Sequence, residues 1–227
     1  MNGQFGLHQR LMAEALGTAL LVATVVGSGV LADRLSGDDG VALLGNTLAT
    51  AAMLAVLITA LGPVSGAHFN PAVTLVFVLR REVGLGAGLL YTVAQGVGAL
   101  AGVAAAHAQF ELPLYQVGAN ARAGWGQGLA EAMATFALVF TILAVRRAKP
   151  DFVPVAVALV ITAGYWWTAS TSFANPAVTL ARAFTDSFSG LRLADAPLFW
   201  AGQGAGALIA ALADVGLFGR ARSRNGA

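Results

Sequence analysis

Two identical hexapeptides, Asn-Pro-Ala-Val-Thr-Leu at residues 70–75 and 175–180, are the stretches best equipped to act on another molecule. Asn is a favoured helix N-cap, and Pro suits the first helical position because its missing N–H would have no partner there. Asn70-Pro71-Ala72 and Asn175-Pro176-Ala177 are therefore each predicted to begin a helix that continues through AVTLVFVL or AVTLARAF. What they offer is a carboxamide beside a helix end, which can bind a small molecule but cannot break a bond. An enzyme would need a nucleophile with a base, or a metal cluster. The chain has no cysteine, no paired-histidine spacing and no acid pair near these motifs, so no catalytic residue, metal site or cofactor is expected.

The hexapeptides belong to a longer duplication. Residues 65–75 read SGAHFNPAVTL and residues 170–180 read STSFANPAVTL, an offset of 105. Gln95-Gly-Val-Gly-Ala-Leu recurs at Gln203-Gly-Ala-Gly-Ala-Leu with an offset of 108, and Glu14 and Thr18 have counterparts in Glu131 and Thr135. A first copy over about 10–107 and a second over about 125–219 make one membrane-embedded unit of the 227 residues.

The elements that position these motifs follow from composition. Hydrophobic residues make up 57% of the chain and charged ones 11%, with mean hydropathy +0.73; charged residues are about a quarter of an ordinary soluble domain. Apolar stretches recur at 11–32, 41–61, 84–106, 125–145, 153–170 and 197–218, each long enough to span a bilayer as helix. The first is too long for a signal-peptide core and no small-residue cleavage site follows it, so it is predicted to be a span. Each copy then holds three spans, an odd number, and the second must lie inverted relative to the first. The helices begun by the hexapeptides reach only about half the hydrocarbon core, roughly 12 to 17 Å, and are predicted to be re-entrant. Irregular backbone at 62–69 and 168–174 is tolerable at that depth only if it is buried or lines a water-filled cavity. A pore satisfies both requirements.

Alternate connections give the orientation. Arg10, Arg80, Arg81, Arg146, Arg147, Lys149, Arg220, Arg222 and Arg224 fall on one side, nine basic residues. The other side has Arg34, Arg122, Arg182 and Arg192 among several acids. Both termini are thus predicted to be cytoplasmic. The formal charge of +2 reflects topology, and no basic surface with interleaved aromatics argues for nucleic acid.

Six spans, an inverted duplication and two Asn-Pro-Ala half-helices resemble the aquaporin superfamily over nearly the whole chain, from about Arg10 to Arg220. The resemblance implies an all-α membrane protein with six transmembrane helices and two re-entrant half-helices, acting as a passive pore. It implies that Asn70 and Asn175 meet near the bilayer midplane with their amides facing the permeant. The positive ends of both helix dipoles would point there too and oppose protons and cations. A homotetramer in a bacterial inner membrane is implied by the resemblance alone.

One departure bears on selectivity. Most family members carry arginine right after the second Asn-Pro-Ala, whereas this chain has Val178. Ungapped counting from the two asparagines places the other filter positions at Thr50, Ala163 and Ser172, all small, so a wider opening is expected. At Ala163 the count has an alternative, a one-residue shift of Gly164-Tyr165-Trp166-Trp167 that brings an aromatic into the constriction. Arg182, one helical turn beyond Val178, is the candidate to replace the missing charge at the pore mouth. Its alternative is a helix C-terminal residue complementing the dipole or paired with Asp186. The NPAVTLAR variant resembles a bacterial aquaglyceroporin branch often associated with arsenic resistance, which makes glycerol, undissociated arsenous acid and methylated arsenicals candidate cargo. A strictly water-conducting channel and an ion-coupled transporter with inverted repeats are the competing readings.

Other polar residues receive narrower expectations. Glu14 and Glu131 are expected to accept hydrogen bonds from backbone N–H groups of the two re-entrant loops, which matches their role in the family. His68 is expected to line the path or brace its loop. Asp214 is expected to pair with a tail arginine, and His107 to lie at the membrane interface. Trp125 and Trp200 suit an interfacial belt, and the 33–40 and 108–124 segments suit flexible external loops.

Overall fold

The computed structural model describes residues 5–219. The basic tail with Arg220, Arg222 and Arg224 lies outside the described residues. The chain forms α1 (Leu7–Leu35), α2 (Asp39–Ser65), α3 (Pro71–Leu79), α4 (Leu85–Gln109), α5 (Trp125–Ala148), α6 (Val153–Trp167), α7 (Pro176–Arg182) and α8 (Ala196–Phe218), with 3-10 turns leading into α6 and α8. Among the described residues there is no strand. Among the described residues six segments are long and apolar enough to cross a membrane: α1, α2, α4, α5 and, each with its leading 3-10 turn, α6 and α8. The two short ones, of nine and seven residues, are α3 and α7.

Local chemistry moves several predicted boundaries. Asp38 Oδ1 accepts from the N–H groups of Gly40 and Val41 at 2.8 and 3.0 Å, so α2 starts early and the expected 33–40 loop shrinks to 36–38. At its other end α2 continues through Pro63 to Ser65 and stops at left-handed Gly66, φ 92°. The first irregular segment is therefore 66–70 rather than 62–69. The second runs from 168 to 175, close to expectation.

Helix packing repeats the duplication. α1 packs on α4 and α2, and α5 packs correspondingly on α8 and α6. Each half-helix lies between the third spans of both copies: α3 touches α4 and α8, and α7 touches α8 and α4. Close approach requires glycine at two equivalent points. A Cβ at Gly98 would overlap the Ala15 carbonyl, and one at Gly206 the Ala132 carbonyl. Small residues let membrane helices meet at backbone contact.

Polar clasps close the two ends of the bundle. At the end of the bundle where α8 finishes, fully buried Asp214 of α8 binds Arg147 Nη2 at 2.6 Å and Arg80 Nη1 at 2.7 Å. Its partners are thus arginines following α3 and ending α5, fixed by tertiary packing. Glu82 adds bonds to Arg80 at 2.8 Å and Arg146 at 2.6 Å. Burial alone would raise the Glu82 pKa, but these two guanidinium groups hold it below its ordinary value. At the opposite face His107 is fully buried rather than interfacial. Its ring bridges Pro113 O at 2.7 Å and Thr185 Oγ1 at 2.8 Å, tying the 110–124 connection to the segment after α7. Trp125, Trp166 and Trp167 are exposed on the outer surface of the bundle.

Candidate permeation pathway

The two re-entrant loops are built from unfavourable backbone. Ala67 and Phe69 in the first, and Thr171, Ser172 and Ala174 in the second, have φ between 47° and 59°. The left-handed region costs a non-glycine residue roughly 1–2 kcal/mol. Two buried carboxylates offset that strain. Glu14 Oε1 accepts from His68 N at 2.9 Å and Ser65 Oγ at 2.6 Å, while Oε2 accepts from Phe69 N at 2.7 Å and Gln95 Nε2 at 2.8 Å. Glu131 accepts from Phe173 N at 2.9 Å, Ala174 N at 2.8 Å and Gln203 Nε2 at 2.6 Å. Neither glutamate lines the cavity described below.

Each loop delivers its asparagine to the start of a half-helix. Asn70 Oδ1 accepts from Ala72 N at 2.9 Å and Val73 N at 3.4 Å; Asn175 Oδ1 accepts from Ala177 N and Val178 N at 2.9 and 3.3 Å. With Pro71 and Pro176 at the first helical position, these are complete caps. The amide nitrogens cross over. Asn70 Nδ2 donates to Ala174 O, and Asn175 Nδ2 donates to Phe69 O, both at 2.7 Å. A carboxamide has two N–H donors. One on each asparagine is spent on the opposite loop, and the other has no protein acceptor among the described residues.

Both asparagines line a cavity with about 790 Å³ of space, open solvent included. Aliphatic side chains of α1, α2, α5 and α6 form most of one wall, among them Val25, Leu54, Leu138 and Ile161. The loops and half-helices form the other, with His68, Ser172, Val178 and Arg182. His68 both lines the cavity and braces its loop. Thr74 Oγ1 gives its single proton to Asn70 O and accepts from Gln95 Nε2, so the 3.1 Å contact with His68 Nδ1 requires the proton on that nitrogen. Nε2 is then left as an acceptor.

Of the four expected filter positions, Thr50, Ser172 and Val178 are buried residues of this wall. Ala163 is not. It lies on the exposed face of α6 with Val155 and Leu159, while Val153, Val157, Ile161 and Tyr165, spaced four apart, turn inward. Counting back from Asn175 crosses the irregular 168–175 segment and loses helical phase there. Tyr165 lines the cavity instead, its hydroxyl 3.4 Å from Thr50 Oγ1. Gly164 faces Ser172, whose Oγ would stand 2.5 Å from a Cβ added there.

Arg182 is 3% exposed and belongs to the cavity wall. It does not pair with Asp186, which accepts from Ala119 N. Its Nε donates to Ser189 O, and its guanidinium carbon stands 3.4 Å from the Phe173 ring centroid. Sequence reasoning missed Phe173 and Phe77 as wall residues, whereas Tyr165 is the aromatic that the alternative register around Ala163 allowed for. The offset of 105 could have found the first, since it pairs Phe173 with His68.

Comparison with known proteins agrees with this geometry. The profile described as Major intrinsic protein matches residues 3–152 and again 118–226. The chain belongs to the major intrinsic protein family. Among relatives of this family member, the aquaglyceroporin AqpS of Rhizobium meliloti (strain 1021) is 54% identical over 207 residues, spanning 91% of this chain and 89% of the relative. Aquaporin PIP2-5 of Oryza sativa subsp. japonica is 35% identical over 236 residues, spanning 92% and 83% respectively. An X-ray structure of the aquaglyceroporin from Plasmodium falciparum superimposes with TM-score 0.71 at 23% identity, covering 91% of this chain and 95% of that one, a likeness of fold. The major intrinsic protein described here is a multi-pass membrane channel and not an enzyme.

Proposed function

We propose that the copies over about 10–107 and 125–219 form one channel unit whose cavity passes small, polar, uncharged solutes: water, glycerol-like polyols, arsenous acid and methylated arsenicals. One observation carries this reading. Asn70 and Asn175 each keep an uncommitted amide N–H at the N-terminus of a half-helix inside a shared cavity. A solute oxygen that accepts from both cannot readily relay a proton, and the two positive helix ends disfavour cations.

In this reading Thr50, Ser172, Val178 and Tyr165 set the width of the filter, and Glu14 and Glu131 brace the loops. Val178 in place of the usual arginine favours solutes larger than water, in keeping with the name of the aquaglyceroporin relative. The basic residues Arg10, Arg80, Arg81, Arg146, Arg147 and Lys149 on one face favour cytoplasmic termini in a bacterial plasma membrane. The assembly is proposed to be a homotetramer with one pore per subunit.

Parallel swelling of proteoliposomes in glycerol, arsenous acid and a methylated arsenical, with water permeability alongside, tests the reading. Passive, non-accumulating flux above that of protein-free vesicles is expected. Uphill accumulation driven by an ion gradient would mark a transporter. Asn70→Asp and Asn175→Asp are expected to change ionic leak, and unaltered proton and cation conductance in both would remove the amides from the pathway.

A further inference from the structure

The duplication exchanges an aromatic ring and a nitrogen-bearing side chain between the two ends of the cavity. In the first copy His68 in the loop stacks on Phe77 of α3, ring centroids 4.6 Å apart. At the equivalent positions, 105 residues later, Phe173 stands in the loop and Arg182 on α7. A buried guanidinium thus occupies the wall on one side only. Phe173 carries a second one, Arg122, whose guanidinium carbon is 5.3 Å from the ring centroid, but the Arg122 Nε and Nη1 are tied to Gly190 O, Ser170 O and Thr171 Oγ1.

Arg182 differs because only its Nε is tied, to Ser189 O. Among the described residues its two terminal nitrogens have no protein acceptor and no carboxylate pairs with it. It is also the one formally charged residue in the cavity wall. An unpaired guanidinium with so little exposure must draw acceptor oxygens from what fills the cavity. Its planar fork matches two oxygens carried on one atom, a geometry that a point charge or a single-atom anion does not share. Ser172 adds a hydroxyl to the same wall, and Val178, one turn deeper, adds no competing donor or charge.

Building on the channel reading, we propose that Arg182, clamped between Phe173 and Ser189 O, is a binding site for small oxyacids, molecules with at least two terminal oxygens on one central atom. The site lies one helical turn away from Val178, toward the C-terminus of α7, and decides which solutes dwell at that mouth.

Inorganic phosphate at a pH where the monoanion dominates is the probe, with sodium chloride of equal ionic strength as control, on proteoliposomes carrying the full chain. In the wild type, phosphate slows water flow, and chloride does not. Arg182→Gln and Arg182→Lys weaken that response about tenfold, since lysine keeps the charge but loses the fork. Phe173→Leu, which leaves the arginine but removes its clamp, weakens it less and serves if Arg182→Gln does not assemble. A water flow indifferent to phosphate, an undiminished response in Arg182→Lys, or an equal response to chloride overturns the proposal. Wild-type vesicles no more permeable to water than protein-free ones would overturn the channel reading itself, a separate outcome.

Discussion

Tyr165 reaches from α6 to α2 and sets its hydroxyl 3.4 Å from Thr50 Oγ1, joining two spans across the cavity wall. The contact is long, so its loss in Tyr165→Phe is expected to cost no more than about 1 kcal/mol. Truncation to Tyr165→Ala removes the wall itself and is expected to raise glycerol flux relative to water. Ala163→Leu, on the opposite face of the helix, is expected to leave that ratio unchanged. Paired swelling measurements decide it: a constant ratio in Tyr165→Ala takes Tyr165 out of the constriction.

Val178→Arg is expected to restrict glycerol more than water. Its backbone N–H is held by Asn175 Oδ1 at 3.3 Å, so the new side chain must extend from a fixed point on the wall. Added bulk in packed surroundings costs roughly 1–3 kcal/mol, and the new charge would face Arg182 four residues along the same helix. Undiminished glycerol and arsenous acid flux in this variant would show that Val178 does not bound the path.

Glu14→Gln and Glu131→Gln are each expected to destabilise the protein by about 1–3 kcal/mol, because an amide donor then confronts a backbone N–H in a buried site. The two losses are expected to combine non-additively. Ala174, whose N–H is held by Glu131, also accepts from Asn70, and Phe69, held by Glu14, accepts from Asn175. Residues in one network couple by about 0.5–3 kcal/mol. Thermal unfolding of both singles and the double in detergent measures the coupling, and simple additivity would mean that the loops hold independently.

Acid is expected to loosen the clasp around Glu82. Its folded pKa lies below the ordinary carboxylate value because Arg80 and Arg146 outweigh its burial. A depressed carboxylate contributes stability above its unfolded pKa and loses it as pH falls through the folded one, here below the ordinary carboxylate range. The side chain is 31% exposed, so screening keeps the effect small. Melting temperature is therefore expected to fall slightly more in the wild type than in Glu82→Gln between neutral pH and acid, and less so at high salt. Parallel curves for the two proteins would contradict this.

The sequence was legible wherever chemistry is local or periodic. Six spans, two capped half-helices and the equivalence of Glu14 with Glu131 follow from apolar run length, helix-end preferences and the internal offsets. What escaped depends on phase or on distant partners. Ala163 was misplaced because the count crossed a non-helical segment, where each residue no longer turns the chain by a fixed angle. Pro63 suggested an earlier end to α2, yet the helix runs two residues past it before Gly66 supplies the turn. Asp214 and His107 found partners, Arg147 and Thr185, that are 67 and 78 residues away and that no neighbouring pattern announces.

The crossed amide bonds also bear on assembly. Asn70 completes the backbone of the later copy, and Asn175 that of the earlier one. The leading three spans by themselves would leave the Phe69 carbonyl without that donor. Either half expressed alone is therefore expected to carry an unfinished seam that only its sibling can seal.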